Sequence, residues 1–283
     1  MEIIHSPGPM TAWANQARVD GKTIALTPTM GAFHEGHLAL MRMARTRADQ
    51  TVASIFVNPI QFGPDEDFDQ YPRNLDRDAA MARKAGVDIL FAPTPADMYP
   101  AGFQARVAIT GLTDTLCGRS RPGHFDGVTT VVAKLFNIVK PDLAIFGRKD
   151  FQQLAVISKM VRDLNWDIEI IGHPIVREAD GLAMSSRNAY LSTEERQSAL
   201  SLSTSIQQAR QRVRKGATSA GQLIEETKKI LRRHDNVVID YVSIVDRMTL
   251  RNQTEINRDS VLLVAARVGA TRLIDNTVLF DEQ

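Results

Sequence analysis

Two histidines three residues apart, His34 and His37, mark the segment best suited to chemistry. They follow an apolar run at residues 24–26 and precede a helical pattern that begins at Leu38, so a strand is expected to turn into a helix there. The N–H groups and the positive dipole end of a helix N-terminus attract phosphate. Imidazoles at this spacing share one helix face, and Gly36 between them leaves the backbone open to close approach. The spacing predicts a site for the phosphates of a nucleoside triphosphate.

Other interpretations of these residues are weaker. An ordinary pair of surface histidines would not require the preceding strand, the Pro-Thr-Met-Gly turn at residues 28–31 and an intervening glycine together. A zinc metalloprotease helix needs His-Glu-x-x-His, whereas His34 and His37 are only three residues apart. Residues 21–23 resemble the end of a P-loop, but Gln16 stands where that motif requires glycine. The phosphate hypothesis is therefore preferred.

Two further clusters could bind the same ligand. Lys149 is expected at a strand end, where its ammonium group can balance phosphate charge; an ordinary surface lysine is the alternative. Residues 185–187, Ser-Ser-Arg, combine two hydroxyls with a guanidinium group that can bind phosphate oxygens. We expect residues 181–188 to form an exposed loop, and loops in such positions often close over ligands.

Composition narrows the class of protein. The 283 residues are 43% hydrophobic and 24% charged, as in an ordinary soluble globular protein, and the net charge of +1 argues against a general nucleic-acid binder. The single cysteine, Cys117, excludes an intramolecular disulfide and is better explained as a small buried residue than as a nucleophile. The sequence contains no apparent signal peptide and no apolar stretch of membrane-spanning length. A cytoplasmic protein that binds neither nucleic acid nor membrane is expected.

Short β-branched runs alternate with helical patterns through the first 176 residues. Such alternation predicts an α/β fold, a Rossmann-like doubly wound parallel sheet with helices on both faces. The predicted strands lie at residues 23–26, 51–57, 88–91, 106–109, 142–146 and 167–171, and the predicted helices at residues 38–48, 75–85, 127–139 and 151–164. Ligands of these sheets bind beyond the carboxyl ends of the strands. We therefore expect the polar segments at residues 28–37, 58–61 and 147–150 to converge on one crevice.

The pattern changes after about residue 176. Long helical patterns at residues 193–215 and 219–234 precede strand-like runs at residues 237–245, 261–268 and 272–274. Helices followed by candidate antiparallel strands indicate a smaller C-terminal α+β lobe. We therefore expect two domains, at residues 1–176 and 177–283.

Seven short motifs, taken together, resemble those of one enzyme family. They are PTMG at 28–31, HEGH at 34–37, FVNPIQF at 56–62, YPR at 71–73, RPGHF at 121–125, KDFQQL at 149–154 and MSSRN at 184–188. The chain resembles the pantothenate synthetase (pantoate–β-alanine ligase) family of the HIGH-signature nucleotidyltransferase superfamily, and the resemblance extends to residues 273–276. It implies ATP-dependent joining of pantoate and β-alanine through a pantoyl adenylate, with Mg2+, on a homodimer. The motif at 184–187 is similar to the KMSKS-type second signature of the superfamily.

The resemblance also implies roles for individual residues. ATP would be bound by Met30, Gly31, Ala32, Phe33, His34, Glu35, Gly36, His37, Gly147, Arg148, Lys149, Asp150, Val176, Met184, Ser185, Ser186 and Arg187. His37, His34 and Lys149 would be catalytic, with His37 the candidate acid of the first step. Gln61 and Gln153 would bind pantoate, Gln61 would also contact β-alanine, and Asp78 is the candidate Mg2+ ligand. Residues 1–176 would bind nucleotide and pantoate, and residues 177–283 would close over the substrates.

Two residues depart from the family pattern. Arg148 stands where glutamate is common and Phe33 where leucine is usual, and Arg148 is expected to change the electrostatic field around the phosphates. Two other functions fit parts of the sequence: an adenylyltransferase that leaves AMP on its product, and a noncatalytic nucleotide-sensing or RNA-binding module. The Gln61 and Gln153 pair disfavours the first, and the near-zero net charge disfavours the second.

Overall fold

A computed structural model describes residues 1–64 and 66–280 of the chain, and its strands form two separate sheets. One sheet has six strands and the other has three. The larger sheet comes from the part of the chain where short apolar runs alternate with helical patterns. The smaller comes from the carboxyl-terminal region, where strand patterns follow one another directly.

All strands of the larger sheet are parallel. They are β1 (Glu2–Ile4), β2 (Ile24–Thr29), β3 (Gln50–Ile55), β4 (Ile89–Phe91), β5 (Leu143–Gly147) and β6 (Glu169–His173). Their order is β1, β4, β3, β2, β5, β6, so the direction of succession reverses between β2 and β5. This order confirms the predicted Rossmann-like, doubly wound fold. Ligands of such sheets bind outside the carboxyl ends of the strands at the reversal.

Helices connect these strands. They are α1 (Pro7–Val19), α2 (Glu35–Arg45), α3 (Leu75–Lys84), α4 (Pro95–Met98), α5 (Cys117–Ser120), α6 (His124–Val139) and α7 (Phe151–Asp163). Helix α2 begins three residues before its predicted start at Leu38, because the ring of His34 caps it. The fully buried Phe33 anchors the preceding loop in an apolar cluster with Met41 and Leu90. Burial of such a side chain contributes about 1.5–3 kcal/mol.

One predicted element is wrong and two elements were not predicted. Strand β1 and helix α1 had not been predicted, and the strand predicted at residues 106–109 is absent from that segment. The backbone there is bound by side chains of α6: the N–H of Val107 donates to Thr130 Oγ1 and its carbonyl accepts from Thr129 Oγ1. A β-branched run therefore imitated a strand while its hydrogen-bonding groups were satisfied by threonine hydroxyls.

The carboxyl-terminal elements form the predicted smaller α+β lobe. They are α8 (Thr193–Arg214), α9 (Ala220–Leu231), β7 (Val237–Asp246), β8 (Ser260–Val268) and β9 (Thr271–Val278), and the three strands are antiparallel. Ser192 and Glu195 form a capping box at the start of α8. One apolar cluster joins Leu202 of α8, Leu223 of α9 and Leu262 of β8. Strand β9 is longer than predicted because it pairs along the whole of β8.

The chain divides into two compact units. The first comprises Met1–Arg148 and Val156–Pro174, and the second comprises Lys149–Ala155 with the described residues from Ile175 on. The division thus falls within α7, and the assignment of functions to residues 1–176 and 177–283 stays a prediction. Of the helices in residues 1–64 and 66–280, none is both long and apolar enough to cross a bilayer.

Candidate active site

The loop between β2 and α2 is fixed by a buried carboxylate. Asp78 of α3 is 1% exposed, and its two oxygens accept hydrogen bonds from the backbone N–H groups of Ala32 (2.7 Å) and Phe33 (2.9 Å). Hydrogen bonds to a charged acceptor are stronger than neutral ones. Asp78 therefore determines the path of the loop that carries the predicted phosphate-binding residues.

The same loop has an unusual backbone at two residues. Gly31 has φ of 84° and Ala32 has φ of 51°, in the left-handed region that favours glycine. A Cβ at Gly31 would lie 3.0 Å from Ile55 Cγ2 and 3.1 Å from Asp78 Oδ2. The N–H of Gly31 donates to Thr29 Oγ1 at 3.1 Å. The loop needs glycine at position 31 both for its backbone angle and for space.

His34 and His37 lie together at the start of α2. Their ring centroids are 4.1 Å apart and the rings are stacked at 29°. His34 Nδ1 accepts a hydrogen bond from the N–H of Gly36 at 3.1 Å, so a neutral His34 ring carries its proton on Nε2. The histidines thus combine a donor-bearing ring edge with the positive end of the helix dipole. Such an arrangement can bind an anion.

Gln61 lies within the first unit, close to the same loop. Its Nε2 is 3.1 Å from the sulfur of Met30, and its Oε1 accepts from Nδ2 of Asn58 at 3.0 Å. Asn58 Nδ2 also donates to the carbonyl of Gly127, and Asn58 Oδ1 accepts from the hydroxyl of Tyr99 at 2.8 Å. Gln61 and Asn58 are both buried. The first unit therefore brings Gln61 together with Met30, as the predicted crevice requires.

An ion pair supports the backbone of Gln61 from the other side. The Gln61 carbonyl is 2.8 Å from His124 Nδ1 and 3.4 Å from Arg121 Nη2. Arg121 also pairs with Glu66, with Nη2 to Oε2 at 2.5 Å. Burial alone would raise the pKa of Glu66, but the hydrogen bond and charge of Arg121 outweigh it and hold that pKa below its ordinary value. Glu66 is thus a charged partner that keeps Arg121 in place.

Two more predicted nucleotide residues, Gly147 and Arg148, belong to the first unit. Gly147 ends β5 and pairs with His173 of β6. Arg148 Nε donates to the carbonyl of Gly172 at 3.1 Å. Arg148 is one of the two residues that depart from the family pattern, and this contact directs its side chain toward the backbone of β6.

In the second unit, a hydrogen bond from Asn276 holds the backbone of Lys149. The carbonyl of Lys149 accepts from Nδ2 of Asn276 at 2.8 Å, and its Nζ is 3.6 Å from Asp150 Oδ2. The Lys149 side chain is 21% exposed. Gln153 follows in the first turn of α7 and is partly buried. The backbone of Lys149 is thus held by a strand of the smaller sheet, which the sequence did not indicate.

The segment that holds Val176, Met184, Ser185, Ser186 and Arg187 is also part of the second unit. The N–H of Met184 donates to the carbonyl of Val176 at 3.0 Å, and Ser185 Oγ accepts from the N–H of Arg187 at 3.3 Å. The expectation of an exposed loop at residues 181–188 was wrong, since Leu182 and Ala183 are 3% and 5% exposed. The apolar Leu182 packs into the core of this unit.

Two charged side chains strengthen this segment through hydrogen bonds. Arg177 binds the buried Asp275 through two parallel hydrogen bonds of 2.7 and 2.9 Å, and a bidentate pair of this kind adds geometric specificity. Glu178 Oε1 accepts from Asn188 Nδ2 at 2.6 Å, and the same nitrogen donates to the carbonyl of Ala183 at 3.1 Å. These contacts leave residues 185–187 on a braced turn.

The prediction that Asp78 binds Mg2+ has no test in this structure and stays a prediction. Both of its oxygens are engaged by the loop backbone, at the distances given above. Within residues 1–64 and 66–280, no group of three or more His, Cys, Asp and Glu side chains is placed to hold a metal ion. The contact that the structure shows for Asp78 is therefore with the loop.

Sequence reasoning missed several residues that shape the site. Asp78 was noticed for its carboxylate, but its contacts with Ala32 and Phe33 span 46 and 45 positions of sequence, respectively. Tyr99 had no local pattern that could reveal its contact with Asn58, which is 41 positions away. Asn58 itself lay within a quoted motif, so its importance could have been inferred there.

Comparison with known proteins agrees with this geometry. The family model described as Pantoate-beta-alanine ligase matches residues 2–278. Pantothenate synthetases of Syntrophotalea carbinolica and Geobacter sulfurreducens are 55% and 56% identical to the chain, each over 100% of both chains.

Solved structures match as well. The crystal structure of pantothenate synthetase from Thermus thermophilus aligns with a TM-score of 0.95 at 43% identity, covering 99% of this chain and 100% of that one. The pantoate-beta-alanine ligase of Francisella tularensis, complexed with beta-gamma ATP and beta-alanine, aligns with a TM-score of 0.80 at 30% identity over 99% and 98% of the chains. The chain belongs to the pantoate–β-alanine ligase family.

Proposed function

We propose that this protein is an ATP-dependent ligase that condenses pantoate with β-alanine to give pantothenate, AMP and pyrophosphate through a pantoyl adenylate. The observation that carries the proposal is the stacked His34 and His37 pair at the capped start of α2, in a chain that belongs to this family over residues 2–278. The complex of the Francisella relative with an ATP ligand and β-alanine supports the same substrates.

The first step converts a poor acylating agent into a reactive one. A pantoate carboxylate oxygen attacks the α-phosphorus of ATP, the bond to the β-phosphate breaks, and pyrophosphate leaves with the developing negative charge. His37, Lys149 and Ser185 are proposed to stabilise that charge, with His37 as acid and with His34 also on the phosphates. Loss of one fixed donor of this kind typically costs about 100- to 1,000-fold in rate.

The second step transfers the pantoyl group to an amine. The amino group of β-alanine attacks the carbonyl of the adenylate, AMP leaves, and an amide forms. Gln61 and Gln153 are proposed to hold pantoate, and Gln61 also to contact β-alanine. The adenylate must meet the amine before water, so the proposal gives the segment that carries Met184–Arg187 a role in excluding solvent.

The remaining nucleotide contacts are proposed to come from residues 30–37, from residues 147–150, from the backbone of Val176 and from residues 184–187. Mg2+ completes the proposal as an ion whose ligands are mainly phosphate oxygens and water, as is usual for magnesium with nucleotides. We further propose that the protein is cytoplasmic and that it forms a homodimer. Light scattering of the purified protein would test the dimer.

Analysis of products tests the function. Incubation with ATP, Mg2+, pantoate and β-alanine is expected to give AMP, pyrophosphate and pantothenate in equal amounts. ADP as the sole nucleotide product would contradict the proposal. A stable adenylylated product that is released over many turnovers without any amine acceptor would instead identify an adenylyltransferase. Omission of β-alanine should leave only the enzyme-bound adenylate and an equivalent of pyrophosphate.

A further inference from the structure

The main chain fixes the orientation of the Asn58 side chain. Its Nδ2 lies 3.0 Å from the carbonyl oxygen of Gly127, and Asn58 is 1% exposed. A carbonyl oxygen can only accept a hydrogen bond, so the Asn58 atom that faces it must be the nitrogen. Asn58 Oδ1 then points the other way and lies 2.8 Å from the hydroxyl of Tyr99. The reverse orientation would place two oxygens against each other at Gly127.

Asn58 in turn fixes the orientation of the Gln61 side-chain amide. The NH2 group of Asn58 has two hydrogens, one for the Gly127 carbonyl and one for the Gln61 side chain at 3.0 Å. The Gln61 atom that faces it must accept, so it is the oxygen. Gln61 Nε2 therefore points away from Asn58, where its neighbour at 3.1 Å is the thioether sulfur of Met30, a weak acceptor.

Tyr99 donates the hydrogen bond to Asn58 that completes this series of hydrogen bonds. Burial raises the pKa of the Tyr99 phenol, so the hydroxyl stays protonated and can donate. Without it, the buried Asn58 oxygen would lose that hydrogen bond, and only the Gly127 carbonyl would hold the amide in the observed orientation. The Tyr99 ring packs against Phe56 and Phe103 with centroids 5.9 and 5.1 Å away. These ring contacts do not depend on the hydroxyl.

We propose that Tyr99 is a positioning residue which, through Asn58, holds the Gln61 amide so that it presents its NH2 group to pantoate. This inference rests on the proposed function and specifies which substrate groups can bind at this subsite. The subsite offers donors from Gln61 and therefore selects ligand groups that accept hydrogen bonds, such as carboxylate and hydroxyl oxygens. A ligand that has only hydrogen-bond donors at that position would place them against the two N–H donors of Gln61, and no hydrogen bond could form.

The first test removes the hydroxyl alone. Tyr99→Phe is expected to raise KM for pantoate about 5-fold, as loss of one buried hydrogen bond would. The kcat and the KM for ATP should change by less than about twofold, because the ring packing and the phosphate residues are retained. Tyr241→Phe, which removes a hydroxyl from β7 in the second unit, is the matched control and should leave all three constants unchanged.

The second test reverses the polarity. Asn58→Asp has nearly the same shape, but it has two acceptor oxygens and cannot donate to Gln61. Gln61 would then turn its NH2 group toward residue 58 and its carbonyl toward pantoate. The kcat/KM for pantoate is expected to fall at least about 100-fold, since a site that lacks the required donor rejects its ligand strongly. Circular dichroism and the melting temperature of each variant report whether it is folded.

The outcomes separate the two proposals. A wild-type protein that forms no pantothenate from the three substrates contradicts the proposed function, and this inference with it. An active wild type together with an unchanged pantoate KM in Tyr99→Phe overturns the inference alone. Equal rises in KM for ATP and pantoate in Tyr99→Phe would show a general structural defect and would also overturn it. A rise confined to pantoate supports it, with or without a folded Asn58→Asp protein.

Discussion

At the scale of single residues, His37 is the side chain with the most direct proposed role in catalysis. We expect His37→Ala to keep the fold, because alanine is favoured within helices, and to slow adenylate formation by about 100-fold or more. Exchange of radiolabelled pyrophosphate into ATP in the presence of pantoate measures this step without β-alanine. His5→Ala is the control, since His5 is exposed and its ring contacts the carbonyl of Ala92. Wild-type exchange in His37→Ala would remove the catalytic role.

Asp78 acts on the site through the loop backbone. Asp78→Asn keeps the size of the side chain but replaces one acceptor with an NH2 group that would face a backbone N–H. We expect the free energy of unfolding to fall by about 1–3 kcal/mol, the cost of a lost hydrogen bond to a buried charge. Urea denaturation measures it, and KM for ATP should rise in the same variant.

Asp76 provides the control for Asp78. It lies in the same first turn of α3 but is exposed. Asp76→Asn should therefore change the free energy of unfolding by no more than about 0.5 kcal/mol, as is usual for exposed positions. Equal effects of the two substitutions would show that the contacts with Ala32 and Phe33 add nothing to stability.

Glu66 makes stability near Gln61 depend on pH. The Arg121 contact holds the pKa of Glu66 below its ordinary value against the effect of burial. A carboxyl group with a depressed pKa stabilises the fold above its unfolded pKa, and this contribution is lost as pH falls through the folded value. We expect Glu66→Gln to be less stable than wild type at pH 7, by about 1 kcal/mol for a partly solvated pair. The difference should shrink below about pH 4.5, near the ordinary glutamate pKa; a constant difference from pH 7 to pH 3 would contradict this.

At the scale of elements, the packing of α6 on the turn at Pro59–Gln61 requires a glycine. A Cβ at Gly127 would lie 2.4 Å from the carbonyl oxygen of Ile60 and 2.6 Å from Gln61 Cα, both backbone atoms that cannot move alone. We expect Gly127→Ala to destabilise the protein by about 3 kcal/mol or more and to raise KM for pantoate. Thermal unfolding and initial rates measure the two effects.

Gly221 of α9 is the matched glycine. A Cβ there would meet no heavy atom within 4 Å. Gly221→Ala should be neutral or should stabilise the protein by about 0.4–1 kcal/mol, because alanine restricts the unfolded chain. Loss of stability in both variants would show that helical glycine itself, and not the contact with Gln61, explains the effect at position 127.

The sequence predicted elements well where the information is local. The apolar run at residues 24–26 and the His34-x-Gly-His37 spacing identified β2 and the start of α2, since strand period and helix caps depend on near neighbours. The strand at residues 106–109 failed because threonine hydroxyls of α6 satisfy that backbone. The loop partners of Asp78, and Tyr99 and Gly127 as partners of Asn58, lie more than 40 positions away, and local pattern carries no information on such contacts.

At the scale of the whole molecule, ATP binding should stabilise the fold. A ligand at 100 times its Kd that binds only the folded state adds about 2.7 kcal/mol to the free energy of unfolding. Because the proposal assigns nucleotide contacts to residues 30–37 and to residues 184–187, ATP should slow backbone hydrogen exchange in both segments. Protection of only one segment would remove the other from the assignment. Hydrogen exchange with mass spectrometry, with and without ATP, distinguishes these results.

The fold class and the smaller lobe were predicted because alternation of strands and helices is a long-range property that sequence displays directly. Conformation at residues 181–188 was not, since the burial of Leu182 depends on a core built by α8 and the smaller sheet. Recognition of the motifs supplied the substrates, which no periodicity could.

The close packing of the Gly127 backbone has a consequence for which substitutions this enzyme tolerates. The carbonyl at that position orients the Asn58 side chain, which in turn is proposed to orient the Gln61 amide that meets pantoate, so the position of α6 affects the position of that amide. We expect small changes of volume on the buried side of this helix, at Val131 or Phe136 for instance, to shift that carbonyl. Misplacement of about 1 Å can cost 100-fold in rate. Substitutions in this helix are thus expected to lower turnover as well as stability.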